Sequence, residues 1–280
     1  MPSFRRHIIT GDPIVFAPER AGRPNAFGDG EAESCPFCAG HEEMTPPEIE
    51  RVGDPWRIRV FPNKYPAVEG HEVIVESPEH GATFDGIGHA AEAIETYIRR
   101  YEKHSHGSWV AMFSNEGRRA GASIDHIHTQ AMPLPYVPPR AAREAAAFRE
   151  AAQCPLCRTI ARHRDEGLVL EETADAVRLT PNAPGHAYEQ WIVPLAHSNE
   201  MSLTTPAQRH SIALLLQHAV ARTRTVGPAY NVLFMNFPRE NTAHFYVSVV
   251  PRRSAIAGFE LATGTFIDII DPVAAARVLR

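Results

Sequence analysis

Asn115-Glu-Gly-Arg-Arg-Ala-Gly-Ala-Ser-Ile-Asp-His-Ile-His-Thr-Gln130 is the stretch in which this chain concentrates its chemistry. Gly117 and Gly121, with small residues at 120, 122 and 123, let the backbone turn tightly and come close to a ligand. The run from His126 onward alternates with the two-residue period of a strand, which puts His126, His128 and Gln130 on one face. Two imidazoles and an amide behind a small-residue turn carrying Arg118 and Arg119 suit a phosphate with a nucleophile or a metal. The plain alternative for the His-x-His pair alone is two strand-end histidines facing solvent.

The four cysteines fall as two pairs, Cys35-Pro-Phe-Cys38 and Cys154-Pro-Leu-Cys157. Thiolates at this spacing converge on one tetrahedral ion, so zinc is the better reading in a reducing compartment, with a redox dithiol as the alternative for either pair alone. Each pair then needs two further ligands, and the spacing supplies them. Cys38 to His80 is 42 residues and His80 to His126 is 46, while Cys157 to His197 is 40 and His197 to His244 is 47. Two closed sets follow: Cys35, Cys38, His80 and His126, and Cys154, Cys157, His197 and His244. Closed Cys2His2 sets are structural rather than catalytic. His41 competes for the first site but has no equivalent in the second half. His7, His71, His104, His106, His163, His186, His210 and His218 lack the pattern and read as surface or packing residues.

The rest of the chain repeats one order of elements. A hairpin turns at Thr10-Gly11-Asp12-Pro13, and an arm with Arg20 and Arg23 follows. Then come strands at 58–61 and 72–76, a breaker at Ser77-Pro78-Glu79-His80, an amphipathic helix at 85–104, and strands at 109–113 and 126–134. A helix at 140–152 precedes the second cysteine pair. The second half gives strands at 176–180 and 189–193, a breaker at Pro194-Leu195-Ala196-His197, a helix at 207–224, and strands at 230–236 and 244–250. Pro181-Asn182 echoes Pro62-Asn63. The predicted fold class is α+β, two tandem repeats (1–150 and 151–280) forming an antiparallel sheet flanked by helices. Where the first half has His128 and Gln130, the second has Tyr246 and Ser248. A scaffold used twice with a reactive residue kept once predicts one active site per chain.

Composition sets outer limits. With 280 residues, 44% hydrophobic and 22% charged, the chain can bury a full core. A net charge of -5 argues against a general nucleic-acid or membrane surface. The apolar runs are too short for a membrane span and the N-terminus does not read as a signal peptide, so a cytoplasmic protein is expected.

These residues resemble the galactose-1-phosphate uridylyltransferase branch of the histidine-triad superfamily. The resemblance rests on Cys35-Pro-Phe-Cys38, Pro62-Asn63, Ser77-Pro78-Glu79-His80, the run from Asn115 to Gln130, and Gly258-Phe259-Glu260-Leu261. It implies histidine-triad-like repeats, a homodimer, and ping-pong transfer of a nucleoside monophosphate through a histidine. By motif position His128 would be the nucleophile, Gln130 and Ser123 would contact the transferred phosphoryl group, and Asn115 would help to hold it beside Gly117 and Gly121. Asn63, Arg20 and Arg23 fall where the family binds nucleotide, and Glu260 lies near the segment for sugar recognition. The expected substrates are a nucleotide sugar and a sugar 1-phosphate, with inorganic phosphate as the alternative acceptor. Ile127 stands where the family usually has proline between the histidines. A zinc-stabilised nucleotide-binding module without catalysis is the reading from another class.

Overall fold

The computed structural model describes residues 3–6, 8–22 and 35–280. Arg23 and His7 lie outside these residues. Strands β1 (Ser3–Arg6) and β2 (Pro13–Phe16) form a separate antiparallel hairpin around the expected turn. Among the described residues all other strands join one sheet: β3 (Glu50–Val52), β4 (Ile58–Pro62), β5 (Glu72–Val75), β6 (Trp109–Glu116), β7 (His128–Leu134), β8 (Val169–Glu172), β9 (Ala176–Leu179), β10 (Gln190–Pro194), β11 (Tyr230–Met235) and β12 (Tyr246–Pro251).

The order across this ten-stranded antiparallel sheet is β3-β4-β5-β7-β6-β11-β12-β10-β9-β8. Read outward from the central β6–β11 pair, each half follows the same path: β6, β7, β5, β4, β3 on one side and β11, β12, β10, β9, β8 on the other. The repeat predicted from ligand spacing is therefore a repeat of topology.

Helices α1 (Ala90–Ser105) and α4 (Pro206–Val226) pack side by side across one face. Ile94, Tyr97, Ile98 and Tyr101 of α1 and Ile212, Leu215, Leu216 and Val220 of α4 enter one apolar core with Ile74, Met112, Val232 and Val247 from both halves of the sheet. Burying each such aliphatic side chain contributes about 1.5–3 kcal/mol. Thr205 caps α4 through a reciprocal capping box with Gln208.

The opposite face differs between the halves. In the second, α2 (Pro139–Glu150) and α3 (Pro155–Glu166) place Phe148, Leu156 and Ile160 on Val177, Leu179 and Tyr246. In the first, the cysteine knuckle, with Phe37, lies on Phe61, Val73 and Val75, joined by Trp56 and Ile124.

Several boundaries depart from expectation. The helix expected from 85 begins at Ala90, and the strands expected from 126 and 244 begin at His128 and Tyr246. The second cysteine pair opens a helix, with Cys154 at its N-cap and Pro155 fixing the first turn. Strands β3 and β8 and helices α5 (Gly258–Thr263) and α6 (Pro272–Leu279) were not foreseen.

Beneath β6 and β7, on the helix face, a small cavity is lined by Glu76, Tyr97, Glu116, Thr129 and Tyr230 among others. Tyr97 donates to Glu76 at 2.6 Å, and Thr129 donates to Tyr97 at 3.0 Å. Burial raises Glu76 to about 7 and Glu116, with Glu76 and Asp125 nearby, to about 8. A raised carboxyl keeps its proton in the folded state after the unfolded chain has released it. Stability therefore falls as pH rises from the ordinary 4.5 toward about 8 and is level beyond. Glu116→Gln is expected to be more stable than the parent at pH 8.5 by roughly one to a few kcal/mol, with the difference vanishing near pH 4. Urea unfolding of both proteins across that range checks this, and a pH-independent difference would contradict it.

Candidate active site

The site is built on β7 and its neighbours. Val73 of β5 stands opposite Gln130, and Val75 opposite His128, so His128 and Gln130 project on the face away from α1. His126 precedes the strand, and its ring turns to the cysteine knuckle instead of lying in line with the other two. Phe37, between the two knuckle cysteines, sets its ring against His128 with centroids 5.3 Å apart.

The four predicted ligands of each set come together. In each, one ligand atom per residue lies within 4.8 Å of all the others. Cys35 Sγ is 3.5 Å from His126 Nδ1, and Cys38 Sγ is 3.6 Å from His80 Nδ1. In the second set Cys157 Sγ is 3.5 Å from His244 Nδ1 and 3.8 Å from His197 Nδ1. Tetrahedral sulfur and nitrogen ligands at ordinary zinc distances stand about 3.6 Å apart, so the donor sets fit a metal ion.

The far ring nitrogens agree. His126 donates from Nε2 to the Ser77 carbonyl at 2.7 Å, and His244 donates from Nε2 to the Pro194 carbonyl at 3.0 Å. A carbonyl only accepts, so Nδ1 of each ring carries the lone pair and faces the sulfurs. Ser77 and Pro194 each lie three residues before the other histidine ligand of their set. His41 stays outside the cluster, donating from Nδ1 to the Cys35 carbonyl at 2.8 Å.

Burial and the neighbouring Cys35 push Cys38 up to about 11, and burial with Cys154 does the same to Cys157. Burial, then His197, lowers His244 to about 4. An ion that binds must displace the thiol protons, while burial already favours the neutral rings of His126 and His244.

A cleft of about 230 Å³ opens over this face, with Ser123, His128, Gln130, Asn63 and Lys64 on its wall and Phe37 and Phe61 among its apolar lining. His128 is 3% exposed and donates from Nδ1 to the His126 carbonyl at 2.7 Å. In the neutral ring Nε2 then holds the lone pair. Arg20 donates to the Tyr65 carbonyl at the cleft margin, and burial lowers its pKa.

Asn115 is not among the cleft-lining residues; it accepts from Asn231 Nδ2 at 2.7 Å, while Asn231 also donates to the Ala120 carbonyl at 2.9 Å. Together they tie the Gly117–Gly121 turn to β11. Gly117 has φ +79, and a Cβ there would meet Ala229 at 3.0 Å. Arg118 and Arg119 are exposed. Glu260, in α5, caps its own helix through the Ala257 N–H and is not among the residues lining this chain's cleft. His71, read from sequence as surface or packing, is buried at the cleft floor, 3.1 Å from Gln130. It has no sequence motif of its own; its position just before a strand paired with β7 was the available signal.

The counterpart of this site in the second half is filled. Tyr246 donates to Glu144 of α2 at 3.0 Å, and Ser248 donates to Glu189 at 2.9 Å.

Residues 90–279 match the family model described as "Domain of unknown function (DUF4921)". The chain belongs to that family. Along its whole length it is 29% identical to an ADP-glucose phosphorylase of Arabidopsis thaliana, covering 92% of that protein. It is 25% identical to a galactose-1-phosphate uridylyltransferase of Thermotoga maritima, covering 98% of it. The crystal structure of an ADP-glucose phosphorylase from Arabidopsis thaliana with bound ADP-glucose superposes with a TM-score of 0.79 at 28% identity, covering all of this chain and 99% of that one. This member of the family thus lies in the galactose-1-phosphate uridylyltransferase-like branch of the histidine-triad superfamily, as the motifs implied. No helix among its described residues is long and apolar enough to cross a membrane.

Purified protein is expected to carry two metal equivalents per chain by elemental analysis, with Cys35→Ser losing one of them. Because a closed site contributes to folding, that variant is expected to unfold at lower temperature. One metal or none in the parent would contradict the doubled site.

Proposed function

We propose that this chain is a nucleotidyltransferase that moves a nucleoside monophosphate from a nucleotide sugar through a covalent intermediate on His128. The observation that carries this reading is the hydrogen bond from His128 Nδ1 to the His126 carbonyl, which leaves Nε2 as the attacking nitrogen in a cleft bearing Gln130 and Ser123. His128 Nε2 attacks the α-phosphorus, the bond to the bridging oxygen breaks, and sugar 1-phosphate leaves. An acceptor oxygen then attacks the same phosphorus and the nitrogen–phosphorus bond breaks. With inorganic phosphate the product is a nucleoside diphosphate; with a second sugar 1-phosphate it is a new nucleotide sugar.

The positive charge gained by the imidazole is held by the carbonyl at Nδ1, and Ser123 and Gln130 stabilise the phosphoryl oxygens with fixed donors. Asn63, Arg20 and Arg23 are assigned to nucleotide binding, and Asn115, Gly117 and Gly121 to shaping the phosphate turn. The two ions are assigned as zinc. They would hold the fold, the first of them through His126, and no reaction step passes through them.

Inorganic phosphate is the leading acceptor and an adenine nucleotide sugar the leading donor, supported by likeness to the plant ADP-glucose phosphorylase over the full chain. The second reading, a uridine donor and a hexose 1-phosphate acceptor, is supported by likeness to the Thermotoga maritima enzyme. Residues 1–150 are taken as the repeat bearing the active site and 151–280 as its partner repeat. A homodimer is proposed on the exposed apolar residues Phe259, Leu261, Phe266, Ile267 and Ile269, which lie in or follow α5 and need cover. Glu260, in the same helix, is assigned to sugar recognition. The compartment is taken as cytoplasmic.

Mass spectrometry after mixing with ADP-glucose or UDP-glucose, without acceptor, is expected to find one nucleoside monophosphate per chain, lost in His128→Ala. That variant is expected to lose at least roughly a thousandfold in turnover while keeping its metal and fold, since the covalent route is gone. Near-parental turnover would refute the nucleophile. Adding phosphate or galactose 1-phosphate to the loaded protein separates the two acceptors: release of nucleoside diphosphate identifies the phosphorylase, and formation of a nucleotide sugar the uridylyltransferase-like enzyme.

A further inference from the structure

The side-chain amide of Gln130 can face the cleft with either its oxygen or its nitrogen, and only its partners decide which. His71, 2% exposed, supplies the decisive one. Its Nδ1 receives the Ala67 backbone N–H at 3.2 Å, and a backbone N–H can only donate. Nδ1 therefore carries the lone pair and Nε2 the proton. That Nε2 lies 3.1 Å from Gln130 Oε1 and 3.3 Å from Asn63 Nδ2. An N–H cannot accept from a second N–H, and Asn63 Oδ1 is already turned to the Tyr65 backbone N–H at 2.8 Å. The proton goes to Gln130 Oε1.

The second half contains the same turn with opposite polarity. Val73 pairs with Gln130 as Trp191 pairs with Ser248, so Glu189 occupies the position of His71. Glu189 Oε2 receives the Gly185 N–H at 3.0 Å, from four residues back, as His71 receives that of Ala67. Its other oxygen accepts from Ser248 at 2.9 Å. A carboxylate at this position can only accept; a histidine taking the backbone N–H on one nitrogen must donate from the other.

We infer that His71 is a positioning residue which, by donating from Nε2 to Gln130 Oε1, turns the Gln130 NH2 group toward the cleft as a donor to the transferred phosphoryl group. This rests on the nucleotidyl-transfer reading above. Without His71 the amide is free to turn, and with an acceptor in its place the oxygen would face the anionic phosphate.

The test combines activity with a direct reading of the ring. His71→Ala is expected to lower kcat roughly ten- to hundredfold with KM little changed, as for loss of one oriented transition-state donor. His71→Glu, which imports the second-half residue, is expected to lose more. His71→Gln, whose amide can both accept from Ala67 and donate to Gln130, is expected to recover much of the rate. In a Gln130→Ala background, His71→Ala is expected to add no further loss, because both changes remove the same donor. Metal content and thermal unfolding exclude simple misfolding, and long-range proton–nitrogen NMR of the parent is expected to find His71 protonated at Nε2. A ring protonated at Nδ1 overturns the inference whatever the kinetics. Losses that multiply independently in the double variant overturn the positioning role while a nucleotidyl group still forms on His128. If the parent forms no such adduct, the nucleotidyl-transfer reading fails and the inference fails with it.

Discussion

The hydrogen bond from His128 Nδ1 to the carbonyl of His126 ties the chemistry to the fold. It fixes which imidazole nitrogen faces the cleft, and it does so through the backbone of a residue whose own side chain belongs to the first Cys2His2 cluster. His126 is held at both ring nitrogens, by the knuckle sulfurs at Nδ1 and by Ser77 at Nε2. A residue whose ring is anchored from two sides is a poor candidate for drift, and the His128 ring bonded to its carbonyl inherits that rigidity. The proline commonly found between such histidines is replaced here by Ile127, which is buried in the main core. Packing thus constrains the bend that a ring would otherwise constrain.

The two halves show how one backbone supports opposite outcomes. Register places His128 and Tyr246 at equivalent points, as it does Gln130 and Ser248. In the first half these side chains line an open cleft. In the second, Phe148 from α2 and Leu156 and Ile160 from α3 cover the same face, and Glu144 and Glu189 take up the polar atoms. The second-half face is closed by helix placement as much as by the tyrosine that stands at 246.

Much of this was legible in the sequence because metal ligation demands particular residue types at repeated intervals. Cys35, Cys38, His80 and His126 and their counterparts could be paired by counting, and the strand and helix order followed from periodicity. Asn115, Glu260 and His71 were less legible for separate reasons. Asn115 lies in a diagnostic motif, yet its amide faces Asn231 on a strand more than a hundred residues away. Glu260 lies in α5, where its carboxylate is turned to the Ala257 N–H of its own helix and away from the cleft lining. His71 belongs to no motif, since its importance comes from strand pairing that brings it to Gln130 across 59 residues. Short helices such as α6 escaped because their burial comes from tertiary contact with α4 and β8 and not from a long periodic run.

The central seam carries a consequence for how such a molecule can arise. β6 and β11 run antiparallel and hydrogen-bond along Met112–Glu116 and Tyr230–Phe234, with one apolar layer continuing beneath both. A half-length chain would end its sheet at β6 or at β11, exposing unsatisfied backbone and a cut core along the same edge. The simplest cover for that edge is another copy of itself, turned through a twofold axis. The present seam has the form of such a self-complementary contact, with both sides carried on one chain.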